Sequence, residues 1–190
     1  MPSSHEPLFR LIAGLGNPGR EYEETRHNAG FMIVDRLAQR AGIPFRLEPK
    51  WNAAIARLTT HEGVILCKPQ SFMNLSGEPL ATIARFYKIP PTQVLAIFDD
   101  VALPLGRIRI RPSGSSGGHN GMESILQHLD DIPRLRVGIG AADGRPMVQH
   151  VLGKFQADER PILAEAVERA VQAVDCLQRD GIAAAMNQFN

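Results

Sequence analysis

Six polar side chains fall just past apolar runs or inside loops, where a fold of alternating strands and helices presents its chemistry: Asn17, His27, Asn74, Asp99, His119 and Asn120. The set contains histidines, one carboxylate partner and several amides. It suits a water nucleophile activated by a general base, with amides holding a carbonyl and the charge that builds on its oxygen. Each residue alone also has a plainer reading. Asn17 precedes Pro18 in a turn, Asn74 precedes LSG and can cap local backbone, and Asn120 within HNG tolerates a left-handed conformation. A lone histidine such as His27 is more often a satisfied core or surface residue than a base.

Other chemistries lack their signatures. No serine sits in a GxSxG elbow, and Cys67 in the apolar run VILCKP has no adjacent histidine. His27, His119, His128 and His150 show no HExxH-like pattern, which leaves only convergence in space as a route to a metal. Gly14, Gly16 and Gly19 in LIAGLGNPG fit GxGxxG, yet no helix opens on them. The acid at the right distance, Asp35, lies inside the helix-like FMIVDRLAQR. The glycines are expected to shape a turn that presents Asn17 rather than a dinucleotide site.

A cationic feature lies further along. In RIRIRP a period of two puts Arg107, Arg109 and Arg111 on one face, with Ile108 and Ile110 on the other, and SGSSGGHNG then opens a helix. Guanidinium groups and free backbone N–H groups could meet one phosphate there. A solvated edge-strand face is the equal alternative. Arg134 and Arg136 add two cations before the next strand.

The elements that position these residues are legible from periodicity. The 190 residues are 44% hydrophobic and 22% charged, which suits one globular domain, 1–190, with a continuous core. The net charge of +1 announces no polyanion partner globally, though a local patch can hide in it. No apolar run reaches membrane-span length and MPSSHEPLFR has no secretory apolar region, so a cytoplasmic protein is expected. Cys67 and Cys176 read as buried thiols without a disulfide.

A first strand precedes Gly14, and Ala29 to Ala41 keep helical spacing up to Gly42. WNAAIARLTT and VILCKP read as strands joined by a turn at His61, Glu62 and Gly63. Ser76 can cap a helix from about Glu78 to Lys88, and VLAIF reads as a central buried strand ending in Asp99 and Asp100. MESILQHL predicts a helix, LRVGIG a strand, and about Asp158 to Arg179 a long last helix. The alternation predicts one α/β domain with a mixed, twisted sheet surrounded by helices.

Four segments in fixed order carry a resemblance: GLGNPGREYEETRHNAG, KPQSFMNLSG, FDD followed by LPLGRIRIR, and GGHNG. From about Leu8 to Phe155 the chain resembles bacterial peptidyl-tRNA hydrolases. The resemblance implies cleavage of the ester between a peptide and the 3′ ribose of tRNA by a metal-free, cofactor-free, monomeric cytosolic enzyme whose partner is peptidyl-tRNA, with no membrane. Carried over by motif, His27 resembles the catalytic base, Asp99 the acid that orients it, and Asn17 the residue that distinguishes N-blocked from free aminoacyl-tRNA. Tyr22, Phe72, Asn74 and Asn120 resemble contacts to the tRNA 3′ end and the adjoining peptide, and Arg111 with Arg136 a phosphate clamp. Three departures stand out: Ala102 replaces a usual second acid, the segment before Arg134 is short, and GAADGRP lacks a usual HP. A non-catalytic RNA-binding or splicing relative of the same fold is the alternative; it would lose the catalytic set, which this sequence keeps.

Overall fold

The structure is a computed structural model and describes residues 7–58 and 63–190, so His61 and Glu62 of the expected hairpin turn lie outside the described residues. Seven strands form one sheet in the order β2-β3-β4-β1-β5-β7-β6. They are β1 (Leu11–Gly14), β2 (Arg46–Glu48), β3 (Ala53–Leu58), β4 (Val64–Pro69), β5 (Val94–Asp100), β6 (Ile108–Arg111) and β7 (Arg134–Gly138). The central strands β4, β1, β5 and β7 are parallel, with Ile12 level with Leu66 on one side and Leu95 on the other. The β2–β3, β3–β4 and β6–β7 pairs are antiparallel, which makes the sheet mixed.

Helices cover both faces, and this is why the central strands read as unbroken apolar runs. On one face α1 (Ala29–Ala41) and α5 (Arg160–Phe189) pack over Ile12, Leu66, Leu95, Ile97, Leu135 and Val137. On the other, α2 (Gly77–Phe86) and α3 (Asn120–His128) pack over Leu11, Ala13, Ile65, Val94, Ala96 and Phe98. A short α4 (Met147–Val151) lies between β7 and α5.

The glycines of LIAGLGNPG have a structural use beyond a turn. A Cβ on Gly14 would lie 2.3 Å from the carbonyl oxygen of Gly30, and one on Gly30 would lie 2.3 Å from that of Ile97. A Cβ on Gly16 would meet the Phe31 ring at 2.7 Å. Glycine at 14, 16 and 30 therefore lets the start of α1 rest directly on the ends of β1 and β5. Of the three motif glycines, Gly19, at φ 115°, is the one that needs glycine for its backbone angle. Close packing thus brings the residues just before α1 to the carboxyl ends of the parallel strands, the usual place for a site in such a sheet.

Several boundaries differ from the expected ones for local reasons. The short strand β2 has no apolar alternation and was not expected. Helix α2 ends at Phe86 rather than Lys88, because Lys88 takes a left-handed φ of 52°. Ser76 does stand at its N-cap position, but its hydroxyl donates to the Met73 carbonyl instead of capping. Arg107 lies before β6, so only Arg109 and Arg111 share the half-buried strand face. Helix α3 starts at Asn120, two residues earlier than expected, because His119 caps it. α5 runs past Arg179 to Phe189 with a break at Gly181, φ 87° and ψ 175°, beyond which Arg169 donates to the Phe189 carbonyl.

Candidate active site

His27 sits in the single 3-10 turn Arg26–Asn28 that leads into α1, and Asp99 lies at the carboxyl end of β5. Nδ1 of His27 is 2.9 and 3.0 Å from the two carboxylate oxygens of Asp99. Nε2 of His119 lies 2.9 Å from one of them. An ionised carboxylate only accepts, so both rings donate to it. The His119 tautomer is further fixed by its Nδ1, which accepts the N–H of Met122 at 3.2 Å as the cap of α3. Nε2 of His119 therefore carries a proton and has no lone pair to offer a metal, although His27, Asp99 and His119 do converge within 4.8 Å. With His27 donating from Nδ1, its Nε2 holds the free lone pair.

Asp99 is fully buried, and burial alone pushes its carboxyl up. His119 first, and then His27, outweigh that effect and hold the group well below the usual carboxylate range. Burial dominates without opposition at Cys67, whose thiol is pushed up to about 12. At neutral pH that sulfur stays protonated, which removes it as a nucleophile.

Asn17 is buried at the end of the β1 loop. Its backbone N–H donates to Oδ1 of Asn28 at 2.9 Å, and the Asn28 amide returns a bond to the Asn17 carbonyl at 3.0 Å. The side-chain oxygen of Asn17 accepts the Met73 N–H at 2.8 Å. With the oxygen engaged, the NH2 group is the part of the amide left to meet a ligand, so Asn17 presents donors. The same bond ties the Asn17 loop to the turn Met73–Leu75, which carries Asn74.

A cleft of about 520 Å³ opens on this cluster. His27, Asp99, Asn120, Arg111 and Arg136 line it, between the 113–119 loop and the exposed Met147 and Val148 of α4. Asn17, Tyr22, Phe72 and Asn74 are not on its wall. Phe72 and Asn74 are solvent-exposed on the neighbouring turn, and Tyr22 is half-buried.

The cations divide by role. Arg134 is buried, where it grips Asp131 and donates to the Ser115 carbonyl at 2.8 Å. It thus fastens the glycine-rich loop, whose Gly114 N–H also bonds to Asp131. Arg136 pairs with Asp100. Arg111 is half-buried on the edge strand β6, level with Arg134. Asp100 also accepts the Ala102 N–H at 2.8 Å, so the loop that carries Ala102 is held in place without a second acid.

Two contributors were not assigned from the sequence. Asn28 shows there only as a polar residue at a helix start, and its reciprocal bonding with Asn17 needs the two loops to meet. His119 is visible as a polar loop residue, but nothing in the sequence connects it to Asp99, 20 positions away.

A family model described as Peptidyl-tRNA hydrolase matches residues 11–190. A peptidyl-tRNA hydrolase of Caldanaerobacter subterraneus subsp. tengcongensis is 51% identical over 183 residues, covering 95% of this chain and 98% of the relative. That of Synechococcus sp. (strain JA-3-3Ab) is 47% identical over 189 residues, covering 97% and 84%. The crystal structure of peptidyl-tRNA hydrolase from Acinetobacter baumannii superposes with a TM-score of 0.91 at 38% identity, covering 98% of this chain and 96% of that one. With a family match over nearly the whole chain, near-half identity to full-length relatives and the same fold, this chain belongs to the peptidyl-tRNA hydrolase family.

Proposed function

We propose that His27 is the general base in hydrolysis of the ester that joins a peptide, or an N-blocked amino acid, to the 3′ ribose of tRNA. The observation that carries this reading is the bond from His27 Nδ1 to buried Asp99, which leaves Nε2 as the proton acceptor. Nε2 takes a proton from water as its oxygen adds to the ester carbonyl carbon. Asp99 holds the ring and stabilises the imidazolium that forms. Collapse of the intermediate breaks the bond to the ribose oxygen, which takes the proton from Nε2 of His27, leaving a tRNA with a free 3′ hydroxyl and a peptide carboxylic acid that loses its remaining proton to water.

The motifs support the remaining roles. The NH2 of Asn17 can pair with a carbonyl of a blocked amino group and repels a free ammonium. Asn120 on the cleft wall, together with Tyr22, Phe72 and Asn74 outside it, would hold the 3′ end and adjoining peptide. Arg111 and Arg136 would take a tRNA phosphate, which requires Arg136 to exchange or share Asp100. The family resemblance implies action as a monomer. Among the described residues no helix is long and apolar enough to cross a membrane, in keeping with work in the cytoplasm where the substrate arises.

Cleavage of N-acetyl-aminoacyl-tRNA by the wild type and by His27→Ala tests the base. The substitution should lower kcat by about a hundredfold or more while tRNA binding persists. Turnover within a few fold of wild type would remove His27 from the role. Binding of tRNA without cleavage by the wild type would instead indicate a non-hydrolytic RNA-binding protein.

A further inference from the structure

Arg26, directly before His27, is 1% exposed. A guanidinium keeps its charge there, so its burial has to be compensated. The compensation comes from far along the chain. Nη1 and Nη2 donate to the two carboxylate oxygens of Glu159 at 3.1 and 2.7 Å, and the group lies over the Phe155 ring, 4.9 Å from its centre. The third donor, Nε, has no hydrogen-bond partner among the described residues. Burial pushes the Glu159 carboxyl up, but the bonds from Arg26 and from the Gln156 N–H outweigh it and hold the group below its usual range.

The backbone continues this seam. The Arg26 N–H donates to the Gly153 carbonyl at 3.0 Å, Thr25 and Lys154 form an antiparallel bridge, and Lys154 pairs with Glu24 at 2.8 Å. At one end of the seam is the turn with His27. At the other, Glu159 is the last residue before α5, and just upstream lies α4, whose Met147, Val148 and Val151 wall the cleft.

Apolar residues of similar volume often replace a buried ion pair without loss of stability, so stability alone does not account for this one. What a two-pronged guanidinium–carboxylate contact adds is fixed orientation. We propose that the Arg26–Glu159 pair is a positioning device for ester hydrolysis. It locks the turn bearing His27 against the start of α5, so that the imidazole keeps its register with Asp99 while the α4 wall stays at the cleft. The inference rests on His27 as the base.

The test is a cycle of kinetic measurements on N-acetyl-aminoacyl-tRNA with Glu159→Gln, in the wild-type and Asp99→Asn backgrounds. Glutamine keeps the shape but not the charge, and circular dichroism with thermal melting establishes the folded state at the assay temperature. Glu159→Gln should lower kcat by about tenfold or more and leave KM within about threefold, since small misplacements of a reacting group cost turnover. In the Asp99→Asn background the same change should cost far less, because the contact being aligned is already lost. Arg26→Lys, which keeps the charge without the fork, should show the same pattern at smaller size and replaces Glu159→Gln in the cycle if that variant does not fold. A kcat within twofold of wild type, or an equal fold-loss in both backgrounds, overturns the proposal. If His27→Ala keeps its turnover, the base assignment itself fails; if His27→Ala is inactive and the cycle is additive, only the positioning role fails.

Discussion

His119 and Asp99 are joined at 2.9 Å through the one imidazole nitrogen that the α3 cap leaves protonated. The start of α3 thereby holds the carboxylate that also meets His27. Two functions of one side chain can be separated. His119→Ala should lose the cap, at about 1 kcal/mol of stability, and lower kcat as well. His119→Asn, a good capping residue too short to reach Asp99 in the same way, should recover stability while kcat stays low. Thermal melting read beside kcat checks this, and recovery of both together would make His119 a cap alone.

Asp99→Asn should lower kcat by about 10³- to 10⁴-fold with a small change in KM, because a neutral amide neither stabilises an imidazolium nor enforces the Nδ1–H tautomer. It should also change how stability depends on pH. The folded carboxyl is held below its usual 3.8, so it binds a proton less readily than in the unfolded chain. Its contribution is present above about pH 4 and is lost as pH falls through the folded value. The stability gap between wild type and Asp99→Asn should accordingly narrow from about pH 5 down to about pH 2 in denaturant titrations. A gap that widens toward acid would contradict the assignment.

Asn17→Asp replaces the donor NH2 with an acceptor that attracts a free α-ammonium. Its side-chain oxygen can still receive the Met73 N–H, so the loop should keep its shape. The expected outcome is a smaller preference for N-acetyl-aminoacyl-tRNA over aminoacyl-tRNA, read as the ratio of kcat/KM values. An unchanged ratio would deny Asn17 the selective role.

Arg111→Ala should raise KM with little change in kcat. Each lost phosphate contact releases fewer counterions, so log affinity against log salt should become shallower by about 0.7 to 0.9. A substrate reduced to the tRNA 3′ end should be nearly indifferent. Equal loss on both substrates would make Arg111 a support for the fold.

Local pattern determined much of this protein. Continuous apolar runs marked the central strands, helical spacing marked α1 and most of α5, and the motifs around His27, Asp99 and Asn17 were enough to name their family. Such features are carried by neighbours in sequence, where period and residue type decide. Tertiary structure decided what those features touch. Gly14 and Gly16 pattern as a turn, yet they are small because α1 lies against them. Arg134 and Arg136 look like two equal cations, but one is buried to fasten a loop and the other faces Asp100. Arg26 looks like a surface charge until Glu159, 133 positions away, is placed beside it. Partnerships of that kind depend on which strands pair and which helices cover them, and one chain's periodicity holds no record of contacts so distant.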